Sequence, residues 1–338
     1  THSAESYSIA RAYNTLQAWE TGRQGDIVAE NRLEVGVTYN DGPFVASGTT
    51  PLVIDGSITD AGHYMRLTVG PGQGHNGTAG TGVVVNGGGV TQLGISVRDD
   101  YDQVNGLELR GFHDPTNAGS AAVFVINATN VLLERLLIHD FFEASNSANG
   151  IRTSVSAGTV DSFTVRNTII YDGDDDGIRI NDPLDIATVQ NVTVYGMVLR
   201  GIELSNGSMT VTNTISMGNA GVNTDFYDAI GGMVQSFNLS EDATAAGVGS
   251  LTNRLPSNQF ISLTVGTEDL HLKVGADAID AGTSLAGFGD DIDIDSRPQL
   301  AAWDIGADEY IPAPTPRRTN TATPTNTPMP PTATPTNS

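Results

Sequence analysis

The chain of 338 residues has no cysteine, so it carries neither a disulfide framework nor a thiolate metal site. Lysine is almost absent: Lys273 is the only one, and every other fixed cation is arginine. Aromatic residues make up 6% of the chain and hydrophobic residues 38%, which suits a narrow core of Val, Ile, Leu and Ala. No apolar run approaches the roughly 18 residues that a spanning helix needs, which excludes helical membrane insertion. Positive charge is scarce as well. The formal net charge is −23, and only Arg317 and Arg318 carry charge past Pro312, so the body alone carries −25. Such a body repels nucleic acid and anionic membranes, and it suits calcium or solubility.

What is present is repetition. Val165-Arg-Asn167-Thr-Ile169 returns as Val189-Gln-Asn191-Val-Thr193 and again as Val211-Thr-Asn213-Thr-Ile215. A second series reads Asn149-Gly-Ile151, Asp176-Gly-Ile178 and Arg200-Gly-Ile202. The spacings are 24 and 22 residues in the first series and 27 and 24 in the second. A period in that range means stacked coils, each unable to bury its apolar face alone. The runs are short, rich in Val, Ile and Thr, and bounded by Gly, Asn or Asp, which are strand and turn signals. One coil holds about three such strands, paired with the next coil about 4.8 Å away. The predicted fold is a single-stranded right-handed parallel β-helix. The leucine pattern of a horseshoe repeat is absent. The recurring Asn suits a left-handed turn position, and an inward amide there would form an asparagine ladder; the plainer alternative is a surface turn.

Along the chain, Ile9, Ala12, Tyr13, Leu16 and Trp19 fall at helical spacing, with Ser8 placed to cap and Gly22 to stop. This predicts an N-terminal capping helix within residues 1–22 that plugs the open end of the solenoid. Coils are predicted over 23–232, with a glycine-dense surface loop at Gly70–Gly89 and an insert at Phe141–Asn149 flanking a groove. Closing coils and a cap are expected over 233–311, and a Thr/Pro-rich tail over 312–338. The start at Thr1 without Met is consistent with removal of a signal peptide, and so with export.

Two stretches carry a family resemblance. Asn14-Thr-Leu-Gln-Ala-Trp-Glu20 followed by Gly25-Asp-Ile-Val28 resembles the opening of secreted bacterial and phage right-handed β-helix proteins. Leu270-His-Leu272, Ala276-Asp-Ala-Ile-Asp-Ala-Gly282, Asp293-Ile-Asp-Ser-Arg-Pro298 and Trp303-Asp-Ile-Gly-Ala-Asp-Glu309 resemble, in order, the closing coils of β-helix proteins of the choice-of-anchor Q type. One departure is Ala276-Asp277, where that family favours Ser-Pro. The resemblance implies a β-helix, export and frequent fixation to the cell surface, makes these closing segments structural, and implies no reaction.

Several motifs offer chemistry. Asp172, Asp174 and Asp176 alternate before Gly177, like the first half of an EF-hand calcium loop, but Pro183 stands where a bidentate Glu belongs. Calcium at these three, with backbone help from Ile178, is the candidate metal site, and an ordinary acidic turn is the plainer reading. Asp175-Asp176-Gly-Ile resembles the Asp-Asp signature of polygalacturonases, yet the following coil reads Leu199-Arg-Gly-Ile202 rather than Gly-His-Gly, and Arg-x-Lys is absent. Arg152, Arg166 and Arg179 lie in coils suited to lyase chemistry, although Arg is a rare general base. His139-Asp140 resembles a base and its orienter, and more often such a pair is structural. Asp291, Asp293 and Asp295 alternate near Arg297, a structural Asp–Arg arrangement by the family resemblance. Asn76, Asn127, Asn191, Asn206 and Asn238 fit the N-glycosylation pattern.

The tail interleaves Thr with Pro, favours extended polyproline II, and cannot pack a core. Thr321, Thr323, Thr325 and Thr327 are its predicted O-glycosylation sites. At about 3.1 Å per residue it reaches roughly 80 Å, against about 50 Å for a body of about ten coils. It is therefore long enough to run along a neighbouring copy in a head-to-tail fibre; the plainer alternative is a disordered, O-glycosylated stalk. The sequence favours a secreted or cell-surface structural protein, without catalysis, as a glycosylated subunit of a filament or surface layer. The rivals are a glycan-binding adhesin and a polysaccharide lyase or glycoside hydrolase on the same scaffold. An enzyme needs convergent carboxylates of separated pKa, and an adhesin needs a groove lined with aromatics.

Overall fold

The computed structural model describes residues 11–45, 52–91, 93–114, 120–143, 148–154, 159–220 and 223–312. The predicted glycosylation sites Thr321, Thr323, Thr325 and Thr327 lie outside them.

Short β-branched runs separated by left-handed corners produce a coil of three strands. The first coil holds β1 (Glu34–Thr38), β2 (Phe44–Val45) and β3 (Leu52–Ile54). The second holds β4 (Met65–Val69), β5 (Val84–Thr91) and β6 (Leu93–Val97), and the third β7 (Gln103–Asn105), β8 (Glu108–Asp114) and β9 (Ala121–Val125). The fourth holds β10 (Val131–Glu134), β11 (Leu137–Glu143) and β12 (Asn149–Thr153). In the fifth and sixth, one long strand bends through the corner: β13 (Ser162–Gly173) with β14 (Asp176–Ile180), then β15 (Ile186–Tyr195) with β16 (Arg200–Leu204). The seventh holds β17 (Ser208–Thr212), β18 (Ile215–Met217) and β19 (Phe226–Asp228), and the last β20 (Met233–Ser236) and β21 (Leu239–Ser240). Among the described residues coils thus begin at β1, β4, β7, β10, β13, β15, β17 and β20, against the ten or so expected. All pairings between coils are parallel, and one continuous sheet runs β3-β6-β9-β12-β14-β16-β19. Its register aligns Ile151, Ile178 and Ile202, and that of the larger sheet aligns Val165, Val189 and Val211, as the two repeat series require. These side chains fill the core.

Two columns of left-handed residues make the corners. Asn167, Asn191 and Asn213 have φ of 49°, 50° and 53° and are buried. Asn213 Nδ2 donates to Asn191 Oδ1 at 3.2 Å, one rung of a ladder. The same column holds Arg135 and Phe237, also at positive φ, where the Asn pattern fails. At the second corner Gly111, Asp140, Asp172, Gly196 and Gly218 all have positive φ. Asp140 and Asp172 therefore occupy a backbone position that glycine fills in the third, sixth and seventh coils.

The predicted capping helix is shorter and later than its periodicity suggested. Helix α1 spans Leu16–Arg23, with Thr15 as its N-cap through Oγ1 to Ala18 N; residues 11–15 are not helical, and Ser8 lies outside the described residues. The helix does cover an end. Gln17 presents an amide to the edge of β3, donating to Val53 O at 3.2 Å and accepting from Val53 N at 2.7 Å. At the opposite end residues 241–251 fold across the last coils, where Phe237 N donates to Val248 O and Phe226 N to Thr244 Oγ1.

The region after 251 is not further coils. Helix α2 (Pro256–Gln259) leads into an antiparallel pair, β22 (Phe260–Ser262) and β23 (Asp269–Leu272), and the chain then runs back along the outside of the solenoid. A second core forms there, with Leu137, Ile169, Ile215 and Leu239 from the coils and Leu270, Leu272, Ala278, Ile292 and Ile305 from the closing run. The corner asparagines anchor that run: Asn167 donates to Asp290 O, Asn191 to Gly306 O, and Asn213 to Thr283 O. Arg297, almost wholly buried, donates to Glu309, Gly306 O and Ala307 O.

Candidate functional site

The sheet β3-β6-β9-β12-β14-β16-β19 places one residue per coil on its outer side in register, although Ser96 and Glu203 are buried there by their neighbours. Val53, Ser96, Phe124, Arg152, Arg179, Glu203 and Tyr227 form a single row along the axis. Its polar centre has a simple origin. In Asn149-Gly-Ile-Arg152, Asp176-Gly-Ile-Arg179 and Arg200-Gly-Ile-Glu203 the third residue fills the core and the fourth faces out. The glycine is required because a Cβ at Gly177 would meet Gly201 O and Val194 Cγ1, each at 2.6 Å.

Carboxylates gather beneath the guanidinium groups. Arg179 lies 3.7 Å from Asp175 Oδ2, 3.9 Å from Asp176 Oδ2 and 3.8 Å from Glu203 Oε1, each beyond good hydrogen-bond reach. Arg200 pairs with Glu203, and Asn149 Nδ2 donates to Asp175 Oδ2 at 2.7 Å. Asp176 is 0% exposed and Glu203 1%. Burial, then the shared hydrogen bond with Glu203, push the Asp176 carboxyl well above the carboxylate range. Burial opposes ionisation of Glu203 too, but the hydrogen bond from Asp176, Ser205 and the guanidinium groups hold it ionised. Both Asp176 oxygens are buried without a hydrogen-bond partner, a setting that disfavours its charged form beside ionised Glu203. Burial also raises Asp175, to about 6.

Aromatic rings bracket this centre. The Arg152 guanidinium lies 4.7 Å from the Phe124 ring centroid, and Arg200 lies 3.8 Å from that of Tyr227. Burial, then the charge of Arg179, make Arg152 easier to deprotonate than a free arginine. Beyond Tyr227 the row opens into a cavity lined by Leu199, Arg200, Thr224, Tyr227, Gln235 and Thr244. A separate, more apolar cavity lies between α1 and β1.

The sequence-predicted residues divide among different neighbours. Asp172 faces Glu268 at the second corner, and burial and that carboxylate raise its pKa. Asp174 accepts backbone N–H groups of Glu143 and, at 3.1 Å, Ala148. Asp176 joins the Glu203 pair, and the Ile178 backbone is engaged between β12 and β16. The three carboxylates serve three surroundings rather than one loop. His139 is buried between Asp140 at 3.0 Å and Glu108 at 3.1 Å, stacked on Tyr171, so it is a bridging group within the wall. Arg166 pairs with Glu134, away from the row. Asn191 and Asn238 are fully buried, which removes them as glycan acceptors in the folded chain. Sequence reading missed Arg200, Glu203 and Tyr227 as site residues; the fourth position of the Gly-Ile repeat carried a signal for Glu203 alone.

The family model described as right handed beta helix region matches residues 93–246, in keeping with the parallel coils. One solved structure, the pectate lyase Pel9A, superposes with a TM-score of 0.37 at 14% identity, over 84% of this chain and 98% of that one. At that distance its chemistry does not transfer to this chain. No curated protein matches.

Proposed function

We propose that this chain is an exported β-helix protein that binds an extended polysaccharide along the outer row from Phe124 to Tyr227. The observation that carries the reading is the register: ring, guanidinium, guanidinium, a buried carboxylate beneath the arginines, and ring, one per coil. Four coil intervals span about 19 Å. A polymer lying parallel to the axis meets stacking faces at both ends and charged hydrogen-bonding groups between them. The partly buried Arg152 and Arg179 are the groups that would reach hydroxyl or carboxylate oxygens of the ligand. The buried pair favours binding over cleavage. A general acid must come within hydrogen-bond distance of the bond it protonates, and Asp176 and Glu203 are sealed beneath Arg179. Their role in this reading is to hold the arginines in register.

The test is native electrophoresis through gels containing pectin, alginate, xylan or a neutral glucan. Retardation by at least one is expected, with affinity about tenfold weaker in Arg179→Ala and Tyr227→Ala, roughly 1.4 kcal/mol each. No retardation of the wild type in any gel, or retardation of both variants equal to that of the wild type, ends this reading. Release of new sugar ends, lost in Asp176→Asn, would replace it with the enzyme.

A further inference from the structure

A different cluster lies where the closing run meets the glycine-dense loop. His271 on β23 is held from both sides: Nδ1 faces Asp269 Oδ1, and Nε2 faces Asp293 Oδ2 at 3.0 Å. Asp308, buried on the closing run, accepts from Leu272 N at 2.7 Å, which fixes its carboxylate against the same strand. One ligand atom each from His271, Asp293 and Asp308 lie within 4.8 Å of one another, the only such group among the described residues. The other oxygen, Asp293 Oδ1, is buried without any hydrogen-bond partner. Gly77 covers the cluster, at φ +76°, and a Cβ there would meet His271 Nε2 at 2.6 Å and Asp293 Oδ1 at 3.1 Å. The space above the convergent atoms is thus kept clear by a glycine.

We propose that His271, Asp293 and Asp308 bind a divalent cation of the zinc class. The donor set, one imidazole nitrogen and two carboxylate oxygens, selects that class; calcium takes six to eight oxygens. Asp269 is the positioning residue. Accepting the Nδ1 proton, it leaves Nε2 as the lone-pair nitrogen and raises its basicity, the carboxylate–histidine–metal arrangement. In the ion-free protein Nε2 hydrogen-bonds to Asp293; as the ion enters, that proton leaves to solvent and Nε2 becomes a ligand. Two carboxylate charges balance the dication, and Asp293 Oδ1 gains a partner. The ligands come from β23, from the turn at 291–295 and from the run that ends the described chain. The ion therefore staples three segments of the lateral layer, far from the Phe124–Tyr227 row and independent of what that row binds.

The experiment uses the full chain stripped with EDTA and titrated with zinc, manganese and calcium by calorimetry, with melting temperature followed in parallel. One equivalent of zinc per chain is expected, bound at least 100-fold more tightly than calcium, with a rise in melting temperature. His271→Gln and Asp308→Asn should each weaken uptake at least tenfold. Asp269→Asn keeps all three ligands and should weaken it about tenfold; Asp176→Asn should leave it unchanged. Cobalt provides a readout that needs no variant: ligation by imidazole and carboxylate gives visible bands distinct from those of aqueous cobalt. No zinc uptake at micromolar concentrations, an aqueous cobalt spectrum, or full uptake by His271→Gln overturns the proposal.

Discussion

At the scale of single residues, buried carboxyl groups set the response to pH. Asp102 is fully buried, accepts from Met65 N at 2.9 Å through Oδ1, and has no partner for Oδ2. Burial, and then the charges of Asp99, Asp100 and Glu20 against the Met65 hydrogen bond, push its pKa up to about 8. Asp225 and Asp304, each raised by burial to about 7, act in the same direction. Between the ordinary carboxylate value and these pKa values the folded chain holds protons that the unfolded chain has lost. Stability from these groups is thus full below the ordinary carboxylate value and is lost progressively as pH rises to 7 or 8. Asp102→Asn keeps the acceptor for Met65 and cannot ionise. It should match the wild type near pH 5 and exceed it at pH 9 by on the order of 2 kcal/mol, read from urea unfolding at both values. Equal loss of stability in the two proteins would remove Asp102 as a source. Residue types also show what was legible. The Asn corner could be read because Asn recurs and favours left-handed backbone. The second corner could not, because Asp172 in an acidic stretch looks like a ligand, and only its alignment with Gly196 and Gly218 shows a backbone role.

At the scale of elements, the strands were legible and their boundaries at the solenoid ends were not. Helical spacing from Ile9 to Trp19 suggested a longer helix, but Thr15 caps at the point where Leu16, Trp19 and Glu20 begin to be buried. What that helix does came from one polar side chain that periodicity ignores. Gln17 occupies the place of a next strand, supplying β3 with both a donor and an acceptor. A covered edge is a defence against addition of another chain, and residues 241–251 give the far end the same protection. At β3 this cover leaves no free backbone groups at Val53 for strand pairing with another copy. Gln17→Ala uncovers Val53 N–H and C=O. It should cost about 1–2 kcal/mol and produce concentration-dependent association in sedimentation velocity beyond any that the wild type shows. A variant that sediments identically would mean that Gln17 is not what protects the edge.

At the scale of the whole molecule, two layers with different logic share one chain. The coils are written in repeats, so their fold, core and register follow from sequence. The lateral layer has no repeat; it is fixed by distant partners such as Asn167 with Asp290 O and Asn191 with Gly306 O, which no local pattern announces. The outer row was half legible: the Gly-Ile repeat aligned it, but a row matters only once coils are stacked, and Tyr227 sits outside the repeat. The net charge of −23 also disperses the guanidinium groups of Arg152 and Arg179 in any whole-chain reading, although they stand adjacent on one face. The central claim is that a glycan lies along that face. Hydrogen exchange of backbone amides, measured with and without a saturating polysaccharide that retards the protein in gels, locates it directly. The account predicts slowed exchange in peptides covering 149–153, 176–180, 200–204 and 226–228, and unchanged exchange across 253–312. Protection confined to the lateral layer or to α1, with none in those four strands, would contradict it.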